Sequence, residues 1–120
     1  MGKTLVIGAS ENPDRYAHKA AISLLKHGHE VVLFGIKPGQ VGGIPFITEF
    51  PQVIPELDTI TLYINPLVQK EYYAKILALK PRRVIFNPGT ENPELETQCA
   101  NAGIEPVEAC TLVLLSIGQY

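Results

Sequence analysis

Four short runs of the chain are almost wholly apolar: Thr4-Leu5-Val6-Ile7, Val31-Val32-Leu33-Phe34, Ile60-Thr61-Leu62-Tyr63-Ile64 and Arg83-Val84-Ile85-Phe86. Runs of this length, rich in β-branched and aromatic residues, mark strands buried on both faces of a parallel sheet. A fifth strand is expected near Pro106-Val107. Between the first two runs, Ala17, Ala20, Ala21, Leu24 and Leu25 recur at i, i+3, i+4, i+7 and i+8, one face of a helix that ends at Gly28. Asn65-Pro66 sets an N-cap residue before proline at the first helical position and predicts one helix to about Leu79, before Pro81. Asn92-Pro93 repeats the device, with a stop at Gly103. The apolar ending Leu112 to Ile117 predicts a last helix in the core or a subunit contact.

The stretch from Lys37 to Pro55 breaks the alternation with its glycines and prolines, and reads as a turn, a short extended piece and a helical turn near Phe50 to Ile54. Alternating strands and helices give an α/β fold, a Rossmann-like three-layer α/β/α sandwich with a mainly parallel, five-stranded sheet. No repeat or interdomain linker interrupts the pattern, so residues 1–120 are expected to form one domain.

Composition narrows the partners. Ten basic and twelve acidic residues give a formal charge of -2, without the basic face that nucleic acid demands. Charged residues make up 18% of the chain, below the roughly 25% that is usual, which keeps a homodimer or a protein partner in view. Cys99 and Cys110 are too few for a disulfide scaffold and form no metal-binding pair, as expected in a reducing compartment. Neither a signal peptide nor a membrane-spanning stretch is visible, and a cytoplasmic location is expected.

In a doubly wound sheet, ligands lie across the carboxyl ends of the strands where the strand order reverses. The loops that qualify begin at Gly8, Gly35, Asn65 and Asn87. Gly8 and Ala9 are small enough for a ligand to reach the backbone, Ser10 adds a hydroxyl, and the helix that follows presents unpaired N–H groups. That suits phosphate, with Arg15 as a cationic contact and His18 and Lys19 one turn further on. A plainer reading makes Gly8 only the residue of a tight strand-to-helix turn. The dinucleotide fingerprint G-x-G-x-x-G is not met, because Ser10 and Pro13 stand at its second and third glycines. After the second strand Lys37 replaces the acidic residue that holds an unphosphorylated ribose, which suits the phosphorylated ribose of coenzyme A or NADP; a merely solvated turn lysine is an equal reading of this residue.

Val6-Ile7-Gly8-Ala9-Ser10-Glu11-Asn12-Pro13-Asp14-Arg15, the helix end Leu25-Lys26-His27-Gly28-His29-Glu30-Val31 and Asn101-Ala102-Gly103-Ile104 together resemble the stand-alone coenzyme A-binding domain proteins. They are similar also to the nucleotide-binding domain at the start of the succinyl-CoA synthetase α subunit. The resemblance implies that Gly8, Ala9 and Ser10 surround a pyrophosphate and that Lys37 meets the phosphorylated ribose. It further implies that Ile64, Asn65, Phe86, Asn87 and Pro88 wall the adenine and pantetheine groove, with coenzyme A or an acyl-CoA as the small-molecule nucleotide ligand. Two positions depart from the family's habit: Gly35-Ile36-Lys37-Pro38 stands where Val-Asn-Pro is usual, and Tyr16 where proline is common.

Catalytic groups are harder to find. His27 and His29 flank Gly28 at a helix end, where a cation complements the helix dipole. Glu91, Glu94 and Glu96 belong to the first turns of a helix on the same ground. Cys110 resembles a cysteine near the ligand in the synthetase domain, yet a cysteine here is more commonly a small buried group. The balance leans to a non-catalytic binding module. An NADP-dependent oxidoreductase, a component related to CoA ligases, and a scaffold that has lost its ligand are the alternatives.

Overall fold

The computed structural model describes residues 2–120; Met1, the first residue of the expected domain 1–120, lies outside them. Five strands form one parallel sheet: β1 Lys3–Ile7, β2 Val31–Phe34, β5 Leu57–Leu62, β6 Arg83–Phe86 and β7 Glu105–Glu108. A separate two-stranded hairpin pairs β3 Gln40–Val41 with β4 Ile44–Pro45. The helices are α1 Tyr16–Lys26, α2 Pro66–Gln69, α3 Tyr73–Leu79, α4 Pro93–Asn101 and α5 Thr111–Ser116.

The sheet order is β2-β1-β5-β6-β7. After β1 the chain crosses to β2 on one side, then returns past β1 to β5 on the other, so the order reverses between β1 and β5. Alternation along the strands feeds two cores. Leu5, Ile7, Phe34, Ile60, Leu62, Val84 and Phe86 meet Ile76 of α3 and Leu95 and Cys99 of α4. Val6, Val31 and Leu33 point the other way, against Ala21 and Leu24 of α1 and Leu115 of α5. This is the expected α/β/α sandwich with Rossmann-like strand order.

Local chemistry sets the helix ends. At the end of α1 the N–H groups of Gly28 and His29 donate to the carbonyls of Leu25 and Leu24, both at 3.0 Å, with Gly28 at φ +80°. That left-handed step is cheap for glycine. His27 Nδ1 lies 2.8 Å from the Ser23 carbonyl and can only donate there, so His27 serves as a helix-end donor. Asn65 and Asn92 cap α2 and α4, accepting from the N–H of Val68 at 2.9 Å and of Leu95 at 3.3 Å.

Two expectations need correction. The single helix from Asn65 to Leu79 is divided: α2 stops at Gln69, Lys70–Tyr72 tighten into a 3₁₀ turn, and α3 follows. Gln69 is fully buried and its Nε2 donates to the carbonyls of Ile64 at 2.9 Å and Thr90 at 2.8 Å, tying the first turn to the loop after β6. The helical turn near Phe50 to Ile54 is not there; the residues are irregular. Gly42 and Gly43, both at positive φ (60° and 81°), close the β3–β4 hairpin as a two-residue turn of the kind that fits strand twist. The chain then passes along β2, where Ile47 bridges Phe34, while Phe50 sets its ring 5.2 Å from that of Phe34 and 5.5 Å from that of Tyr72.

Candidate functional site

The carboxyl ends of β1 and β2 carry the loops around a broad concavity. The loop after β1 is longer than a direct strand-to-helix turn, since α1 begins only at Tyr16. Gly8 has φ +98°, and a Cβ there would meet the Tyr63 carbonyl oxygen at 2.9 Å, so both turn geometry and the close approach of β5 require glycine. The N–H groups of Gly8 and Ala9 donate to the Phe34 carbonyl at 3.1 and 2.9 Å. Donors for an anion therefore have to come from Ser10 onward.

Local bonds shape the rest of this loop. Ser10 Oγ accepts from the Asn12 N–H at 3.1 Å, and Asn12 Oδ1 accepts from the Asp14 N–H at 3.0 Å. His18 Nδ1 donates to the Ser10 carbonyl at 3.1 Å, clamping the loop onto α1. Arg15, the N-cap of α1, offers no capping side-chain oxygen, so the first helical turn keeps its free donors and its partial positive charge. Glu11 reaches across to the β2 side, where its Oε2 accepts from the Gln40 N–H at 3.0 Å.

Together these segments enclose a groove of about 660 Å³ lined by Gly8, Ala9, Ser10, Glu11, Asn12, Arg15, Tyr16, Ala17, Ile36, Lys37, Pro38, Phe46, Tyr63 and Pro88. Arg15 and Lys37 are its two cations. A smaller cavity of about 210 Å³ adjoins it, sharing Tyr16, Tyr63 and Pro88 and adding Asn87, Cys110 and Leu112.

Of the residues singled out from sequence, Gly8, Ala9, Ser10, Arg15, Lys37 and Pro88 thus share one groove, and Asn87 with Pro88 lines the adjoining cavity. Ile64, Asn65 and Phe86 line neither. Phe86 is fully buried in the α3–α4 core, Ile64 packs against the same core, and Asn65 caps α2. Asn87, also buried, donates from Nδ2 to Thr61 Oγ1 at 2.7 Å and to the Leu62 carbonyl at 2.9 Å, and accepts from the Thr111 N–H at 2.9 Å.

Sequence reasoning passed over Tyr16, Phe46 and Tyr63. Tyr16 was marked only as a departure from a family habit, yet it stands 66% exposed at the junction of the two cavities. Lys19 lies over its ring, 5.4 Å from the centroid. Tyr63 directly follows β5 and stands inside the apolar run Ile60 to Ile64, where it looks like one more strand residue in the sequence. Its hydroxyl is buried and makes no hydrogen bond within bonding distance, although it lies beside the hydroxyls of Thr61 and Thr111, which bond each other at 2.8 Å. Burial pushes the Tyr63 pKa up to about 12.

Among the described residues no helix is long and apolar enough to cross a membrane. The sequence matches the model of a family described as CoA binding domain, over residues 2–116. A crystal structure of an uncharacterized protein matches with a TM-score of 0.96 at 54% identity, over 100% of this chain and 98% of that one. The structure of cell-free ID.343 from Thermus thermophilus matches at 0.85 and 24% identity, over 99% and 91%. A hypothetical protein from Pyrococcus horikoshii OT3 matches at 0.84 and 25% identity, over 92% and 79%. No curated protein matches the chain.

Proposed function

Because the chain belongs to the CoA-binding domain family, we propose that it is a small non-catalytic module that binds coenzyme A or an acyl-CoA. The pyrophosphate rests on the loop after β1, where Ser10 and the first turn of α1 supply donors and Arg15 a guanidinium. Lys37 pairs with the phosphate of the ribose. The observation that carries the reading is the groove itself, which lies where the strand order reverses and has both cations on its lining. His18 suits a positioning role, since its Nδ1 holds the Ser10 carbonyl. In this reading residues 1–120 act as one cytoplasmic domain.

Thermal unfolding with coenzyme A, 3′-dephospho-coenzyme A, NADPH and NADH tests the proposal. Coenzyme A at about 100 times its Kd stabilises by about 2.7 kcal/mol. The Lys37→Ala variant is expected to weaken coenzyme A while hardly touching the dephospho form. Equal loss for both would remove Lys37 from the ribose phosphate. A larger shift with NADPH than with coenzyme A would turn the reading to an oxidoreductase, and no shift with any nucleotide would leave a scaffold.

A further inference from the structure

The groove has two unlike ends. Lys37 follows β2, on one side of the Gly8 loop; Pro88 follows β6 and Cys110 follows β7, on the other. With neighbouring strands about 4.8 Å apart, β6 and β7 lie roughly 10 and 14 Å from β1. A nucleotide anchored at Ser10 with its phosphorylated ribose at Lys37 has to send its remaining arm toward that second end. There, past Tyr63 and Pro88, the groove continues into the cavity of about 210 Å³ bounded by Cys110 and Leu112.

The floor of this branch is firm, because Asn87 is buried and committed to Thr61, Leu62 and the N–H of Thr111. At the roughly 30 Å³ that one water takes in the liquid, the branch has room for about seven heavy atoms. A thioester sulfur, its carbonyl and three or four carbons fill that space. The lining holds neither a lysine, an arginine nor a histidine, so a terminal carboxylate entering it would be desolvated with no cation to offset its charge.

From this geometry we propose that the branch is an acyl pocket that selects short, uncharged acyl thioesters, of about four carbons or fewer, over long-chain and dicarboxylic ones. The inference rests on the coenzyme A reading above and adds the class of acyl group.

Isothermal titration of the full chain with coenzyme A, acetyl-, butyryl-, succinyl- and decanoyl-CoA separates the two. Butyryl-CoA is expected to bind at least about tenfold tighter than coenzyme A, since each buried methylene adds about fourfold. Succinyl-CoA, of similar length, and decanoyl-CoA should gain nothing over coenzyme A. Equal affinity for all the thioesters and coenzyme A, or tightest binding of the decanoyl or succinyl form, would overturn the acyl pocket while leaving the coenzyme A reading intact. Failure of coenzyme A itself to bind would overturn that reading and the pocket with it.

Two variants sharpen the test. Leu112→Trp fills the branch from α5 and should erase the butyryl preference; the chain has no tryptophan, so the new indole also reports occupancy by its fluorescence. Cys110→Ala enlarges the branch and should move the optimum to a longer chain. A butyryl preference unchanged in both variants would count against the assignment.

Discussion

The two faces of the sheet are packed with different chemistry. Against α3 and α4 the strands present Leu5, Ile7, Ile60, Leu62, Val84 and Phe86, an unbroken apolar surface. Against α1 and α5 the same strands β1, β5 and β6 present Thr4, Thr59, Thr61 and Arg83, joined by Asn87 just after β6, all buried. These form hydrogen-bonded rungs: Thr4 with the Tyr120 hydroxyl at 2.6 Å, Arg83 Nε to Thr59 at 2.9 Å, and Asn87 Nδ2 to Thr61 at 2.7 Å. The Arg83 guanidinium also lies 4.5 Å from the centroid of the Tyr120 ring. The apolar face is non-directional and holds the sheet together, whereas the polar face fixes α5 in one register. Cys110 and Leu112, at the start of α5, inherit their positions in the small cavity from that register.

The comparison can be broken at three points. The largest effect is expected from Phe86→Ala, which empties a fully buried site on the apolar face and should cost about 3–5 kcal/mol in urea unfolding. A loss below about 1 kcal/mol would mean that the apolar face is not the main store of stability. Asn87→Ala should cost about 2–3 kcal/mol, because it strands the Thr111 N–H in a buried setting. Ligand titration of that variant should also show a weakened acyl preference, which Phe86→Ala at equal residual stability should not. The smallest effect is expected from Tyr63→Phe, within about 0.5 kcal/mol of the parent at neutral pH, since the hydroxyl it removes has no partner.

Tyr63 also sets an alkaline signature. Its pKa stands at about 12 in the folded chain against 10.0 for the free group, so the folded state holds the proton more tightly. The stability tied to that proton is complete below pH 10.0 and falls as pH rises toward about 12, by up to about 1.4 kcal/mol per pH unit. Unfolding midpoints followed over this range should decline less steeply in Tyr63→Phe; parallel curves would mean that the tyrosine is not buried in solution.

The asymmetry explains what the sequence revealed. Near-continuous apolar runs made β1, β2 and β6 plain, because strands buried on both faces leave little room for other patterns. The caps at Asn65 and Asn92 were legible for the same local reason. The division of the helix at Gln69 was not, since it depends on carbonyls of Ile64 and Thr90 that only the fold brings near. The stretch around Phe50 misled in a similar way, its ring held by Phe34 and Tyr72 from distant parts of the chain. At the groove, Gly8 to Ser10, Arg15 and Lys37 could be named because loops after strands obey a simple rule. Tyr63 could not, as an aromatic residue at the end of a strand carries no mark of facing a cavity.

The edges of the sheet have a consequence for the protein in a crowded solution. β7 is an outer strand with glutamates at both ends and Pro106 within it, so it offers neither a full row of donors nor a neutral flank to another strand. On the opposite side Ile47 donates its N–H to Leu33 and accepts from Gly35, covering the outer edge of β2. Growth by strand addition is thereby discouraged at both margins, and the chain has a built-in defence against the edge-to-edge polymerisation that threatens any open sheet.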